Sequence, residues 1–121
     1  MQKKRVLVVD DSHVVYVELQ KLLSDTEFEL AAYCSSGDEA VEAYGRVMPD
    51  IVLMDIIMHG IDGLEASRRI LQRWTGARIV VISALMYEEI VQTIRSIGGQ
   101  GAVQKPLRRD ELIDAMRKAL E

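Results

Sequence analysis

Five polar side chains stand where apolar runs of the sequence end, and three of them are carboxylates. Asp10 and Asp11 follow VLVV, Asp55 lies in IVLMDI, Ser83 in VVISA and Lys105 in AVQKP. Each alone has an ordinary structural explanation as a helix cap, loop acceptor, turn residue or surface charge. If the runs are neighbouring strands, however, each carboxylate pair repels by roughly 4 kcal/mol at a separation of about 4 Å and an effective dielectric of about 20. Such a cluster requires a cation.

The ligand atoms available to that cation are oxygens. Histidine and cysteine are missing from the cluster, which favours magnesium, with manganese as a substitute. A carboxylate beside such an ion can attack a phosphoryl group and become an aspartyl phosphate. The charge of the transferred group lies on its oxygens, which the ion, the Lys105 ammonium, the Ser83 hydroxyl and backbone N–H groups after Asp55 could neutralise.

The elements that must position these groups alternate regularly along the chain. Five apolar runs of strand length are separated by stretches in which apolar residues recur at helical spacing, such as Val15, Leu19 and Leu22. This alternation predicts an α/β fold with a doubly wound parallel sheet, because parallel strands need crossover connections and the crossovers cover both faces. Ligands of such sheets bind outside the carboxyl ends of the strands. The predicted strands are VLVV, FELAAYC, DIVLMDI, RIVVISA and GAVQK.

Length and composition fit one compact domain. The chain has 121 residues, 49% of them hydrophobic and 28% charged, and we expect residues 1–121 to form a single domain. The net charge of -4 gives no basic face for nucleic acid or for an anionic membrane. The apolar run after MQKKR is too short for a signal peptide or a spanning helix. With Cys34 as the single cysteine, expected to pack in the core, a cytoplasmic location is predicted.

Taken together, VLVVDDS, PDIVLMDIIM with DG shortly after, VVISA and KP resemble the receiver domain of two-component response regulators over essentially the whole chain. The stretches RVLVVDDS and VVISALM are similar to those of the stand-alone chemotaxis receivers of the CheY type. The resemblance implies a flavodoxin-like (βα)5 fold with five parallel strands in the order 2-1-3-4-5.

The resemblance also implies a role for each residue of the cluster. Asp55 matches the phosphoacceptor, while Asp10, Asp11 and the backbone carbonyl of Ile57 match the groups that bind Mg²⁺ together with it. Ser83 matches the switch hydroxyl and Lys105 the phosphate-binding lysine. A cis peptide is implied between Lys105 and Pro106.

The function that the resemblance implies is a phosphorylation-activated signalling switch. A sensor histidine kinase would donate the phosphoryl group, and the face formed by the fourth helix, fifth strand and fifth helix would change its affinity for a downstream protein. A phosphatase is a further expected partner, and the chain would be a monomer or a weak homodimer that catalyses only its own phosphorylation and dephosphorylation. The residues expected to carry the output are Ser83, Ala84, Met86, Tyr87 and Ala102.

The sequence departs from the receiver pattern at three places. His59 stands four residues after Asp55, where receivers typically carry proline, and we interpret it as an exposed loop residue. Ala102 replaces the aromatic residue that many receivers place three residues before the lysine, so Met86 or Tyr87 could take its part.

The third departure concerns the route of an attacking water. Ile57 and Leu85 lie two residues beyond Asp55 and Ser83 and are both apolar. Neither side chain can orient water by hydrogen bonding, which predicts slow hydrolysis of the phosphoryl group.

Three other interpretations are kept open. A magnesium-dependent phosphatase of the haloacid-dehalogenase type also uses an aspartyl nucleophile, but it carries a DxD signature after the first strand, where this chain has adjacent aspartates. A phosphorylation-independent adaptor would not need the full set of acidic, hydroxyl and lysine side chains. The chain could also be the receiver fragment of a longer regulator, for example a transcriptional one.

Overall fold

The structure is a computed structural model that describes residues 2–85 and 87–121. Five strands form one sheet: β1 (Lys4–Val9), β2 (Phe28–Cys34), β3 (Ile51–Asp55), β4 (Ile79–Ser83) and β5 (Gly101–Gln104). Five helices alternate with them: α1 (His13–Leu22), α2 (Gly37–Val47), α3 (Gly63–Arg73), α4 (Glu88–Ser96) and α5 (Arg109–Ala119). All strand pairs are parallel and the strand order is β2-β1-β3-β4-β5. The predicted (βα)5 fold is confirmed.

The strand side chains alternate between two apolar layers. In β1, Val6 and Val8 point toward a layer closed by α1 and α5, whereas Leu7 and Val9 point toward a layer closed by α2 and α3. This alternation follows from the two-residue period of a strand. Because both faces are covered, β3 and β4 are buried along their whole length, as central parallel strands usually are. Cys34 is buried in the second layer, as predicted.

The fourth helix is held differently from its neighbours on the same face. Ile94 is its single fully buried residue, and it packs with Ile56 and Val81 in a small third cluster. The helices α2 and α3 bury four and five residues respectively. The helix α4 is therefore anchored by fewer buried residues than α2 and α3.

Side-chain caps mark the starts of two helices, α2 and α3. The Ser36 hydroxyl accepts a hydrogen bond from the Glu39 N–H at 3.2 Å, and the Asp62 carboxylate accepts one from the Glu65 N–H at 2.8 Å. These caps satisfy N–H groups that have no partner within the helix. Among the described residues, no helix has the length and apolar character needed to cross a membrane.

Candidate functional site

The sheet brings the predicted site residues to one edge. Asp10 directly follows β1, Asp55 ends β3 and Ser83 ends β4, and these three strands are adjacent in the sheet. Asp10 is 0% exposed, Asp55 is 5% exposed and Ser83 is also buried. Lys105 follows β5 and is partly buried, and the peptide bond between Lys105 and Pro106 is cis. Buried carboxylates are rare unless they are paired or bind a cation.

The Lys105 ammonium lies between two of the carboxylates. It donates to the Asp10 carboxylate at 2.8 Å and lies 3.5 Å from an oxygen of Asp55. The other oxygen of Asp10 accepts a hydrogen bond from the Ser12 N–H at 2.9 Å. Asp10 is thus held by a charge-assisted hydrogen bond and a backbone N–H, whereas the contact of Asp55 with the lysine is looser.

The charges of the cluster shift the acidity of its members. Burial, followed by the charge of Asp10, raises the pKa of Asp55 to about 6, although the Lys105 ammonium opposes the change. Burial by itself would lower the pKa of Lys105, but its hydrogen bond to Asp10 and the charges of Asp10 and Asp55 outweigh it, so the net change is upward. The protein therefore keeps the lysine cationic and makes ionised Asp55 costly.

The three carboxylates fit a hard divalent cation. Oxygen atoms of Asp10, Asp11 and Asp55 lie within 4.8 Å of one another. Opposite ligands of an octahedral Mg²⁺ are separated by about 4 Å, since each bond is about 2.0–2.1 Å long. Asp11 is exposed, so water can complete the ligand shell. The donor set, its span and its access to water all suit Mg²⁺.

Ser83 is connected to the loop that leads into α4. Its hydroxyl accepts a hydrogen bond from the Leu85 N–H at 3.1 Å, and its carbonyl accepts one from the Lys105 N–H at 2.8 Å. A displacement of this hydroxyl would therefore change the loop that contains Ala84 and Leu85. The predicted output residue Met86 lies outside the described residues.

The rim of the site is apolar and open. Ile57 is 56% exposed and Leu85 is 46% exposed, and Tyr87 is exposed at the start of α4. His59 is exposed in the loop after β3, in agreement with its interpretation as a loop residue. The exposed side chains of Ile57 and Leu85 are apolar and therefore offer no hydrogen bond to water.

Ala102 lies on β5 and is partly buried against the cluster that holds α4. It lines a surface cavity of about 370 Å³ between α4, β5 and α5. The helices contribute Val91 and Arg95 from α4 and Lys118 from α5. Open space therefore lies beside the position where the resemblance leads one to expect an aromatic ring.

Two residues that support the site were missed by sequence reasoning. Gly63 enters the sequence pattern only as part of the DG pair, but a Cβ there would overlap the Asp55 carbonyl oxygen and lie 2.9 Å from the Ile56 Cα. Tyr33 donates a hydrogen bond from its hydroxyl to the Asp10 carbonyl at 2.7 Å. The DG pair could have indicated the first, whereas Tyr33 reads in sequence as an ordinary strand aromatic.

Comparisons with known proteins agree along nearly the whole chain. A sequence model of the response regulator receiver domain matches residues 6–117. Chemotaxis protein CheY of Listeria monocytogenes is 33% identical over 95% of this chain and 97% of the relative, and that of Halobacterium salinarum is 37% identical over 97% of each. The crystal structure of a CheX-CheY-BeF3-Mg²⁺ complex from Borrelia burgdorferi contains a similar chain with a TM-score of 0.95 and 29% identity, covering 99% of this chain and 91% of that one.

Proposed function

Because the chain belongs to the response regulator receiver domain family, we propose that it is a phosphorylation-controlled switch with Asp55 as its phosphoacceptor. The observation that carries the proposal is the position of Asp55, a buried carboxylate beside two further carboxylates and within 3.5 Å of the Lys105 ammonium. Residues 1–121 would act as one receiver domain.

In the proposed reaction, an Asp55 carboxylate oxygen attacks the phosphorus of a phosphohistidine on a sensor kinase. The new O–P bond forms as the N–P bond breaks, and its electron pair stays on the departing imidazole. Lys105 needs little movement to contact the phosphoryl oxygens, since it already lies beside Asp55. Charge neutralisation of these oxygens is the main catalytic requirement of phosphoryl transfer.

Asp10, Asp11 and Asp55 would hold Mg²⁺, with the Ile57 backbone carbonyl as a further ligand. When bound, the ion neutralises the carboxylates and the charge on the phosphoryl oxygens. The same oxygen donors suit Mn²⁺. The burial of Asp10 and its hydrogen bond from Ser12 keep one ligand fixed before any ion arrives.

The output would begin at Ser83. A hydroxyl that moves to donate to the phosphoryl group weakens its bond with the Leu85 N–H and so displaces the loop before α4. Tyr87, which precedes α4, and the cavity beside Ala102 would change with it. A few kcal/mol of differential contacts are enough for such a population shift.

The proposed partners are a histidine kinase and a downstream protein that binds the surface of α4, β5 and α5. The neighbouring structure from Borrelia burgdorferi contains CheX and CheY together. By this likeness, another protein is the expected class of partner, and the resemblance to receivers makes a phosphatase one candidate.

Intact mass spectrometry after incubation with acetyl phosphate tests the proposal. We expect a single phosphoryl adduct that requires Mg²⁺ and is lost in Asp55→Asn. Asp114→Asn, an exposed aspartate of α5, is the matched control and should keep the adduct. Absence of the adduct in the wild type, or its persistence in Asp55→Asn, would instead favour a phosphorylation-independent adaptor.

A further inference from the structure

Asp10 lies beyond the end of β1, yet its main chain is still attached to β2. Its N–H donates to the Cys34 carbonyl at 3.0 Å, and its carbonyl accepts from the Tyr33 hydroxyl at 2.7 Å. The first contact continues the ladder between the two strands. The second contact comes from a side chain. It takes the place of a backbone hydrogen bond at the point where the chain leaves β1 for the loop before α1.

The ring that carries this hydroxyl is fixed by the first helix. Tyr33 packs against Tyr16 with their ring centroids 4.8 Å apart, and His13 meets it edge-on at 5.7 Å. Aromatic pairs of this kind favour defined orientations. The Tyr33 hydroxyl must be the donor of its hydrogen bond to Asp10, because a carbonyl oxygen can only accept.

Fixing the Asp10 carbonyl has a consequence for the next residue. The peptide between Asp10 and Asp11 is planar, so a restraint on the Asp10 carbonyl also restrains the nitrogen and Cα of Asp11. Within residues 2–85 and 87–121, no hydrogen bond holds the exposed Asp11 carboxylate. The backbone is thus the route by which Asp11 can be oriented.

Resting on the proposed function, we propose that Tyr33 is a positioning residue of the divalent-cation site. Its hydroxyl orients the Asp10–Asp11 peptide so that both carboxylates face Asp55 before the ion binds. Mutating a group that orients a metal ligand typically lowers metal affinity by about 10–100-fold. Tyr33 acts one step further away, through the backbone, so the lower end of that range applies.

The test compares Mg²⁺ dissociation constants of the full chain by isothermal titration calorimetry. Tyr33→Phe keeps the ring and removes only the hydroxyl. Tyr16→Phe is the control, because Tyr16 packs against the same ring. Within the described residues, the Tyr16 hydroxyl makes no side-chain hydrogen bond, so its removal should leave the Asp10 carbonyl in place. We expect the dissociation constant to rise about tenfold in Tyr33→Phe and to be unchanged in Tyr16→Phe.

A second readout separates positioning from general destabilisation. At saturating Mg²⁺, Tyr33→Phe should be phosphorylated by acetyl phosphate at the wild-type rate, whereas a distorted site would stay slow at every concentration. Equal Mg²⁺ affinity in wild type and Tyr33→Phe, equal losses in both variants, or slow phosphorylation at saturation would overturn the inference. If the wild type itself binds no Mg²⁺, the proposed function fails together with the role of Tyr33. If the wild type binds Mg²⁺ and Tyr33→Phe binds it equally well, only the role of Tyr33 fails.

Discussion

The strongest quantitative prediction concerns the cost of ionised Asp55 when no divalent ion is bound. Its pKa rises from 3.8 to about 6 in the folded protein, mainly through burial and then through the charge of Asp10. At about 1.4 kcal/mol per pKa unit, the folded state disfavours the ionised form by roughly 3 kcal/mol. This is a large part of the stability of a small domain, which is about 5–15 kcal/mol.

The sign of the pH dependence follows from the direction of this change. A carboxyl whose pKa is raised by folding contributes its stability below the unfolded pKa of 3.8 and loses it as the pH rises through about 6. Asparagine has nearly the same shape and no charge. In the absence of divalent ions, Asp55→Asn should therefore match the wild type near pH 4 and exceed it by at most about 3 kcal/mol near pH 8.

Urea unfolding at both pH values, with EDTA and then with Mg²⁺, measures this difference. Mg²⁺ should reduce the advantage of Asp55→Asn at pH 8, because the ion binds the wild-type carboxylates and stabilises the state that it binds. Asp114→Asn is the control for removing an exposed carboxylate and should show no comparable gain. The reasoning is refuted if Asp55→Asn is no more stable than the wild type at pH 8 with EDTA, or equally advantaged at pH 4.

The other predictions concern backbone packing, a surface ion pair and hydrolysis. Gly63→Ala should lower the free energy of unfolding by about 3 kcal/mol and abolish phosphorylation, because the added Cβ overlaps the backbone of Asp55. Gly76→Ala, whose added Cβ would meet open space, should be neutral in the same urea titrations. Arg117 lowers the pKa of Glu27 to about 2 through a 2.7 Å hydrogen bond. Glu27→Gln should therefore lower the free energy of unfolding by less than about 1 kcal/mol at pH 7. In unfolding measured against pH, this loss should shrink as the pH falls from 4.5 toward 2, and a constant loss would contradict the ion pair. Ile57→Asn should speed hydrolysis of the phosphoryl group roughly fivefold, because the amide could donate one hydrogen bond of about 1 kcal/mol to the attacking water. The rate is followed by the loss of the phosphorylated species in intact mass spectra, and an unchanged rate would count against a role for this position.

The elements and their convergence could be predicted because they depend on local pattern and topology. The alternation of apolar runs and helical stretches specifies parallel strands, and the carboxyl ends of parallel strands share an edge. Asp10, Asp55 and Ser83 therefore had to lie near one another once the strand order was known. The resemblance to receivers supplied that order.

The supporting contacts were beyond the reach of sequence reasoning for a physical reason. Tyr33 and Asp10 are separated by 23 positions, and their hydrogen bond depends on the side-chain direction set by the register of β1 and β2. The approach of Gly63 to Asp55 depends on the angle at which α3 leaves the preceding loop. Neither geometry is encoded in a local pattern. Ala102 was noticed as a departure from the family, but the cavity beside it is a property of the packed helices.

The single buried anchor of α4 has a consequence for how the molecule moves. Segments with few buried apolar contacts open at lower free energy than the rest of a fold, and they do so without global unfolding. Amide hydrogens of α4 should accordingly exchange faster with solvent than those of β3 and β4, whose residues are buried throughout. This helix begins shortly after Ser83, whereas Asp55 lies at the end of β3, whose residues are all buried. If Asp55 is the phosphoacceptor, a change of charge there would act on a helix that can open locally while the strands that support the acid cluster stay closed.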